Sequence, residues 1–180
     1  GGGVAGIQAA LDLADAGHMV YLVEKQPTVG GIMAQLDKTF PTLDCASCIF
    51  TPKTVEVAQN KNIELFVCSE VVEVKGHVGN FTVTIKEQPT YVDFNRCTGC
   101  GDCVEACVLK KGVPSEFEES MARRRAIYIA FPQAVPLKAV VDKESCLLLS
   151  KGKCKKSCVE ACKAGAIDFE QKEEIVEREV

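Results

Sequence analysis

The chain has 180 residues, of which 47% are apolar and 26% are charged, and its net charge at pH 7 is −4. This composition is typical of a globular protein, and the near balance of charge argues against nucleic acid as the main partner. No run approaches the roughly eighteen apolar residues of a membrane-spanning helix, so we expect no transmembrane segment.

The first residues form a G-x-G-x-x-G pattern made by Gly1, Gly3 and Gly6. Apolar residues then recur at helical spacing, and Gly17 stands where a glycine would end the helix. A short β-rich run closes at Glu24, the position of the acid that binds a ribose hydroxyl in dinucleotide folds. The pattern predicts dinucleotide binding, with an ordinary glycine-rich turn as the simpler alternative. Because the preceding strand is missing, we expect the chain to be a fragment of a longer protein.

A second glycine pair, Gly30-Gly31, follows the acidic residue by six positions. It resembles the extended FAD motif of two-dinucleotide-domain flavoproteins such as thioredoxin and glutathione reductases. The resemblance favours FAD over NAD as the cofactor, and a plain loop is the alternative interpretation.

The densest group of cysteines has the spacing C-x2-C-x2-C-x3-C and consists of Cys97, Cys100, Cys103 and Cys107. This spacing is typical of bacterial-type ferredoxins. Zinc knuckles share the C-x2-C pairs, but four cysteines this crowded are poor ligands for one tetrahedral zinc ion. The run therefore predicts iron–sulfur chemistry.

The cysteine run belongs to an internal duplication. Val-Asp-x-x-x-Cys occurs at Cys97 and again at Cys146, and both halves end in Cys-Val-Glu-Ala-Cys. The second half is wider, with the spacing C-x7-C-x3-C-x3-C. In two-cluster ferredoxins the last cysteine of each half serves the other cluster. Carried over to this sequence, that arrangement predicts two [4Fe–4S] clusters, one held by Cys97, Cys100, Cys103 and Cys162 and the other by Cys146, Cys154, Cys158 and Cys107.

Three of the eleven cysteines lie outside this duplication. An odd number of cysteines at metal-ligand spacing favours a reducing compartment over a disulfide framework. Cys68 falls in a β-rich segment and is expected to be a small core residue. Cys45 and Cys48 precede a helix predicted from Pro52 to about Asn60, with Thr51 as its N-cap. They could form a redox-active dithiol, half of a cluster site completed outside this chain, or two structural thiols.

Two charged segments lie between the cysteines. The stretch 115–129 has glutamates early and arginines late, which predicts a helix whose charges suit its dipole. The enlarged loop of the second half carries four lysines, at positions 151, 153, 155 and 156. These are expected to be a solvated surface, with a docking patch for an acidic electron carrier as the alternative.

Four stretches together resemble the A subunit of heterodisulfide reductase: residues 1–25, residues 31–45 (GIMAQLDKTFPTLDC), the Cys97 run and residues 126–137. The resemblance implies an α/β fold, with a partial FAD-binding Rossmann-like domain of the thioredoxin-reductase type and an inserted α+β two-cluster ferredoxin domain. Applied to this chain, it predicts a partial FAD domain over 1–90, the inserted domain over 91–169 and a return segment over 170–180.

The same resemblance implies a cytoplasmic complex with heterodisulfide reductase subunits B and C and an electron-input partner, a hydrogenase or formate dehydrogenase. It also implies flavin-based electron bifurcation with ferredoxin as an acceptor, and no catalytic residue on this chain. Cys45 and Cys48 would contribute to a further cluster near the flavin domain. The residues implied in binding FAD are Gly1, Gly3, Gly6, Glu24, Lys25, Gly30 and Gly31.

Overall fold

A computed structural model describes all 180 residues and divides the chain into two compact units, Gly1–Gln88 with Lys172–Val180, and Pro89–Gln171. The first contains α1 (Val4–Asp15), β1 (Val20–Val23), a 3₁₀ turn (Gly31–Gln35), α2 (Ala46–Gln59), β2 (Ile63–Phe66), β3 (Ser69–His77) and β4 (Asn80–Glu87). The second contains α3 (Asp102–Ala106), β5 (Val113–Pro114), β6 (Arg123–Arg124), β7 (Ile127–Tyr128), β8 (Val140–Val141), α4 (Leu147–Lys151) and α5 (Ser157–Ala161). A last strand, β9 (Glu174–Glu179), belongs to the first unit.

The helix after the glycine pattern forms as its spacing predicts. Ile7, Leu11 and Ala14 are buried on one face of α1, whereas Val4 is half exposed. Gly17 takes the left-handed conformation at φ 91°, and the amides of Gly17 and His18 bond back to the carbonyls of Ala14 and Leu13. This paired arrangement ends a helix with its last carbonyls satisfied.

Two small sheets build the first unit. β1 pairs in parallel with β2, from Val20 opposite Ile63 to Val23 opposite Phe66. Helices α1 and α2 pack on these strands, so that the apolar faces of all four elements form one core. The second sheet is antiparallel, with β4 between β3 and β9.

The second unit contains short elements and a core that includes cysteines. Two-stranded pairs join β5 to β6 and β7 to β8. The buried core consists of Tyr91, Val92, Cys103, Cys107, Ala126, Ile127, Ala139, Val141, Cys146 and Ala166. Three of these are cysteines predicted to bind a cluster, so the core of this unit is built around its sulfur atoms.

Two helix predictions are wrong: one helix starts elsewhere than predicted, and the other does not form. Helix α2 begins at Ala46 with Cys45 as its N-cap, and Pro52 lies inside it. The predicted helix over 115–129 does not form, because this stretch turns back on itself as the β5–β6 hairpin and continues into β7. Its opposite charges meet across that hairpin, where Arg124 bonds both carboxylate oxygens of Glu116.

No helix combines the length and the apolar character that crossing a membrane requires.

Candidate flavin and iron–sulfur sites

The glycine turn and Glu24 meet at the N-terminus of α1. The Gly2 amide donates to one carboxylate oxygen of Glu24, and the Gln26 amide donates to the other at 2.7 Å. These bonds fix the carboxylate at the end of β1, beside the first turn of the helix. Each oxygen keeps lone-pair capacity for a further hydroxyl donor. This is the placement that ribose recognition requires.

The second glycine pair lies against the first. The Gly30 amide bonds the Gly2 carbonyl at 2.7 Å, and Gly3 and Gly30 form a parallel bridge. Gly31 lies so close that a Cβ on it would stand 3.1 Å from the Cα of Gly3. The predicted flavin-binding glycines thus converge on one turn. Lys25 is exposed, and its ion-pair partner is Glu70 at 3.5 Å.

The three motif glycines differ in what surrounds them. A Cβ on Gly6 would lie 1.9 Å from the Gly1 carbonyl oxygen, so helix and turn pack too closely for any side chain. A Cβ on Gly3 or Gly1 would meet nothing within 4 Å. The open side of the turn, with its amides at a helix N-terminus, fits the pyrophosphate of a dinucleotide.

The first set of thiols combines three residues of the cysteine run with one from the end of the second half-repeat. Gly99 and Gly101 take left-handed conformations, at φ 71° and 84°, and the loop then enters α3. Cys103 is buried, and burial followed by the nearby Cys97, Cys162 and Cys100 thiols raises its pKa to about 12. The four cysteines predicted to share one cluster therefore stand around a common centre.

The second set surrounds a cavity. Burial, followed chiefly by the thiols of Cys107 and Cys154 and also by that of Cys146, raises the pKa of Cys158 to about 11. The cavity is lined by all four of these cysteines together with Leu147, Leu148 and Phe169. The lining is almost entirely apolar apart from the sulfurs, which suits a buried inorganic cluster held by thiolates.

The two half-repeats use the same backbone bonds. The amides of Cys97 and Cys146 each bond an aspartate carbonyl four residues earlier, both at 2.9 Å, from Asp93 and Asp142. Each aspartate amide in turn bonds an alanine carbonyl at 2.7 Å, from Ala166 and Ala126. The internal duplication is thus a structural one.

The strand pairs exchange partners between the halves. Val92, before the first cysteine run, bridges Ile167, which follows the last cysteine of the second half. Val141, before the second run, pairs with Ile127, which follows the first half. Helices α3 and α5 pack together, and each ends one residue before the cysteine that belongs to the other set. This exchange carries Cys107 and Cys162 across to the opposite thiol sets.

All eight of these cysteines are free thiols. No three Cys, His, Asp or Glu side chains converge closely enough to hold a single metal ion. A cubane is larger than one ion and takes its thiolate ligands at its separate iron corners, so sets of four spaced thiols fit it better than they fit a zinc ion.

Cys45 and Cys48 form a disulfide at the start of α2. The Cys45 sulfur accepts the Cys48 amide at 3.2 Å, so the pair lies at the positive end of the helix dipole. The disulfide brings the two sulfurs together, and the three interpretations left open by the sequence stay predictions. Ligation of a further cluster by the reduced pair stays a prediction.

Cys68 lies between β2 and β3 and is half-buried, in a left-handed conformation at φ 51°. Burial, followed by the charge of Glu24, raises its pKa to about 12. It stands between two strands and is not among the buried core residues, so the expectation of a core residue within the β-rich segment is wrong.

Sequence reasoning missed two cationic side chains of the cluster unit. Lys138 donates to the carbonyl of Cys97. The side chain of Arg124 is only 10% exposed; it bonds Asp142 at 3.0 Å and lies 4.0 Å from the centre of the Tyr128 ring. The Ala-Ile pair repeated at 126–127 and 166–167 was a signal that this segment is a strand rather than a helix.

Comparison with protein families agrees with this geometry. Residues 1–43 match a family described as FAD dependent oxidoreductase, and residues 88–108 match a 4Fe-4S binding domain. Fold and site therefore define a flavin- and iron–sulfur-binding oxidoreductase chain, and the prediction of FAD and [4Fe–4S] as its cofactors is confirmed.

Individual relatives match along the whole chain. The A subunit of the H(2):CoB-CoM heterodisulfide,ferredoxin reductase of Methanothermobacter marburgensis is 52% identical over 180 residues, which is 100% of this chain and 26% of that protein. An iron-sulfur A subunit of the CoB--CoM heterodisulfide reductase of Methanopyrus kandleri is 57% identical over the same shares. The A subunit of the H(2)/formate:CoB-CoM heterodisulfide,ferredoxin reductase of Methanococcus maripaludis is 53% identical over 79% of this chain and 21% of that protein.

The chain belongs to the family of heterodisulfide reductase A subunits, as the resemblance predicted, and spans about a quarter of the length of the curated relatives that it matches. Among solved structures, that of L-proline dehydrogenase from P. horikoshii shares 25% identity at a TM-score of 0.42, covering 48% of this chain and 18% of that one.

Proposed function

We propose that this chain is an electron-transfer segment of a heterodisulfide-reductase-type complex, passing electrons between FAD and two [4Fe–4S] clusters. The observation that carries the proposal is the grouping of eight free thiols into two sets of four that exchange one cysteine each. FAD, when bound, exchanges electrons in pairs or singly, whereas each cluster exchanges one. The whole protein is then an oxidoreductase that acts on sulfur groups, and the flavin is the site of electron bifurcation.

The residues of the glycine turn bind and orient the flavin nucleotide. The amides of the first turn of α1 would receive the pyrophosphate, and the open space beside Gly3 would allow its close approach. Glu24, fixed by two backbone amides, accepts the ribose hydroxyl. Lys25 is assigned a weaker, electrostatic role at the rim of this site.

In the second unit, Cys97, Cys100, Cys103 and Cys162 hold one cluster, and Cys107, Cys146, Cys154 and Cys158 hold the other. The apolar core buries Cys103, Cys107 and Cys146, and the Ala166 amide donates to the Cys162 sulfur at 3.3 Å. This unit is the inserted two-cluster ferredoxin domain of the flavin fold. Residues 1–90 and 170–180 are the parts of the flavin domain on either side of it.

The names of the relatives indicate which partners and substrates the whole protein would have. They are subunits of enzymes that act on the CoB–CoM heterodisulfide and on ferredoxin, and two of them are named with H(2) or formate. We infer the same setting here: heterodisulfide reductase subunits B and C, an electron-input partner of hydrogenase or formate dehydrogenase type, and ferredoxin. Free thiols in two cluster sets suit the reducing interior of the cytoplasm, and the process served is methanogenesis.

A second candidate is a stand-alone flavin-dependent thiol–disulfide oxidoreductase that uses Cys45 and Cys48. The disulfide between them favours it, because a redox-active dithiol cycles through such a disulfide. Under the main proposal the same two residues, when reduced, are ligands of a third cluster whose other ligands lie outside this chain.

The test is anaerobic purification of the full-length protein, followed by counting of iron, acid-labile sulfide and flavin per chain. The proposal requires flavin together with equal amounts of iron and sulfide sufficient for at least two clusters in this segment. Zinc without sulfide would contradict it.

A Cys48→Ser variant separates the two candidates. Ligation by Cys48 predicts that this variant loses about four irons from the count for the full-length protein. A variant that keeps all its iron and loses dithiol exchange would favour the stand-alone reductase instead.

A further inference from the structure

The two cysteine loops of the cluster unit carry opposite charges. The loop from Cys97 to Cys107 contains Asp102 and Glu105 and no basic residue, a net charge of −2. The loop from Ser150 to Ser157 contains four lysines and no acidic residue, a net charge of +4. The chain as a whole is acidic, at −4, so the positive loop stands out from its surroundings.

The lysines of this second loop are exposed and free of ion pairs. Lys151, Lys153, Lys155 and Lys156 are all exposed, and none takes part in any ion pair of the structure. Gly152 and Lys156 both take left-handed conformations, at φ 64° and 55°. The backbone therefore turns twice within this short segment and holds four like charges together, which costs electrostatic free energy unless an anionic partner offsets it.

Cys154 lies in the middle of these lysines. It is only half-buried, and it is one of the four cysteines that line the cavity of the second thiol set. Positive charge thus surrounds a half-buried cysteine of this set. In the first set, the exposed Cys100 lies in the loop that carries the two acidic residues.

We propose that the loop Ser150–Ser157, called here the lysine loop, is the docking surface for a small acidic one-electron carrier protein of the ferredoxin class. The proposal rests on the proposed function, since it takes the second thiol set to hold a cluster. Charge complementarity selects the partner and speeds its encounter, as is usual for brief electron-transfer complexes. One electron moves between carrier and chain, so one is oxidised as the other is reduced, and no bond or proton changes place.

The test measures binding rather than turnover. The cluster-loaded full-length protein is immobilised anaerobically, and the association rate of an acidic two-cluster ferredoxin is recorded at about 50 mM and about 500 mM salt. The K153E/K155E variant reverses the two lysines next to Cys154. The matched control is K61E/K172E, which makes the same change in net charge at two exposed lysines of the other unit.

The lysine-loop variant is expected to slow association about tenfold at low salt, and this difference is expected to vanish at high salt. The control variant is expected to associate as the unmodified protein does. Equal slowing by both pairs would overturn the proposal, because the effect would then belong to net charge alone. An unchanged rate in K153E/K155E would overturn it too, as would tighter binding to phosphatidylserine vesicles than to the ferredoxin.

Iron content separates this proposal from the proposed function. If the unmodified protein holds no iron and sulfide, the proposed function fails. If iron is complete and the lysines have no effect on association, only the docking surface fails. Should K153E/K155E lose iron, the pair K153Q/K155Q, compared with K61Q/K172Q, replaces it and is expected to slow association severalfold.

Discussion

Gly3 leaves open space on the side where a side chain would begin, whereas a Cβ on Gly6 would lie 1.9 Å from the Gly1 carbonyl. Gly6 is thus required by the packing of the chain itself. Gly3, with φ −75°, takes a conformation open to any residue, so nothing within the chain requires glycine there. We therefore expect the cofactor to require glycine at this position.

This difference makes Gly3→Ala a selective test of the flavin site. The variant is expected to fold with a free energy of unfolding within about 0.5 kcal/mol of the unmodified protein. Its affinity for FAD is expected to fall at least about tenfold, because the added methyl group meets the pyrophosphate. Flavin fluorescence on titration measures the affinity.

The control for this variant is Gly79→Ala, in the β3–β4 turn. Gly79 has φ 87° and open space around it, so alanine there costs about 1 kcal/mol of stability and leaves FAD affinity unchanged. Unchanged FAD affinity in Gly3→Ala would place the pyrophosphate elsewhere.

Arg124 connects the β5–β6 hairpin to the start of the second cysteine run. It pairs with Glu116 and with Asp142, whose carbonyl accepts the Cys146 amide. Burial alone would raise the pKa of Asp142, but hydrogen bonds from Ser145 and Arg124 hold it below its ordinary value. The Arg124 guanidinium likewise lowers the pKa of Glu116.

A carboxyl whose pKa is lowered by folding stabilises the folded state above its ordinary pKa and loses that contribution as pH falls. Arg124→Met is therefore expected to destabilise the cluster unit by about 2 kcal/mol near neutral pH. The deficit is expected to shrink below about pH 4, as both carboxyls become protonated. Urea unfolding midpoints between pH 3 and pH 7 measure it.

Arg125→Met provides the comparison, because Arg125 donates to the Leu109 carbonyl at 3.2 Å, a group that does not titrate. Its effect is expected to be independent of pH. A pH-independent deficit in Arg124→Met as well would show that the carboxylates are not its energetic partners.

At the scale of elements, helix α1 and strand β1 could be predicted from the spacing of their apolar residues, because Ile7, Leu11 and Leu22 are buried in one core. The start of helix α2 could not be predicted in this way. Thr51-Pro52 is a good helix start by local rules, yet the helix begins six residues earlier at Ala46, which is fully buried. Tertiary burial outweighed the local signal.

The prediction of a helix over 115–129 was wrong for another reason. Its charge order suits a helix dipole, but the same charges also pair across a hairpin, and net charge order alone cannot distinguish the two. Ala126 and Ile127 favour the strand, because both are buried in the core of the cluster unit. Their backbone pairs with the residues just before the second cysteine run.

Strand β9 completes the antiparallel sheet, and its two faces differ. Val176 stands opposite Ile85, which is fully buried, whereas Ile175 stands opposite Lys86 and is 69% exposed. Val176→Asp is expected to lower the free energy of unfolding of the first unit by about 1–2 kcal/mol. Ile175→Asp, one residue away on the other face, is expected to change it by less than about 0.5 kcal/mol. Equal effects on thermal unfolding would mean that the register of β9 is shifted.

At the scale of the whole molecule, the repeated Val-Asp-x-x-x-Cys and Cys-Val-Glu-Ala-Cys motifs predict the exchange of cysteines from the sequence. Both halves reuse the same backbone bonds, so the duplication fixes which strand pairs with which. The state of Cys45 and Cys48 could not be predicted, because a C-x-x-C pair serves disulfides and clusters alike.

Three of the eight cysteines distinguish exchanged cluster sets from two independent half-units. In exchanged sets, Cys97 and Cys162 hold the same cluster although they lie in different halves, whereas Cys97 and Cys107 lie in one half and hold different clusters. Independent half-units would reverse both statements.

The most direct measurement is the iron content of two double variants of the anaerobically purified full-length protein. C97S/C162S is expected to lose about four irons per chain, and C97S/C107S about eight, since the second pair removes a ligand from each cluster. Cys68→Ser, which removes a thiol outside both sets, should lose none. Loss of about eight irons in C97S/C162S and about four in C97S/C107S would contradict the exchange of thiolates.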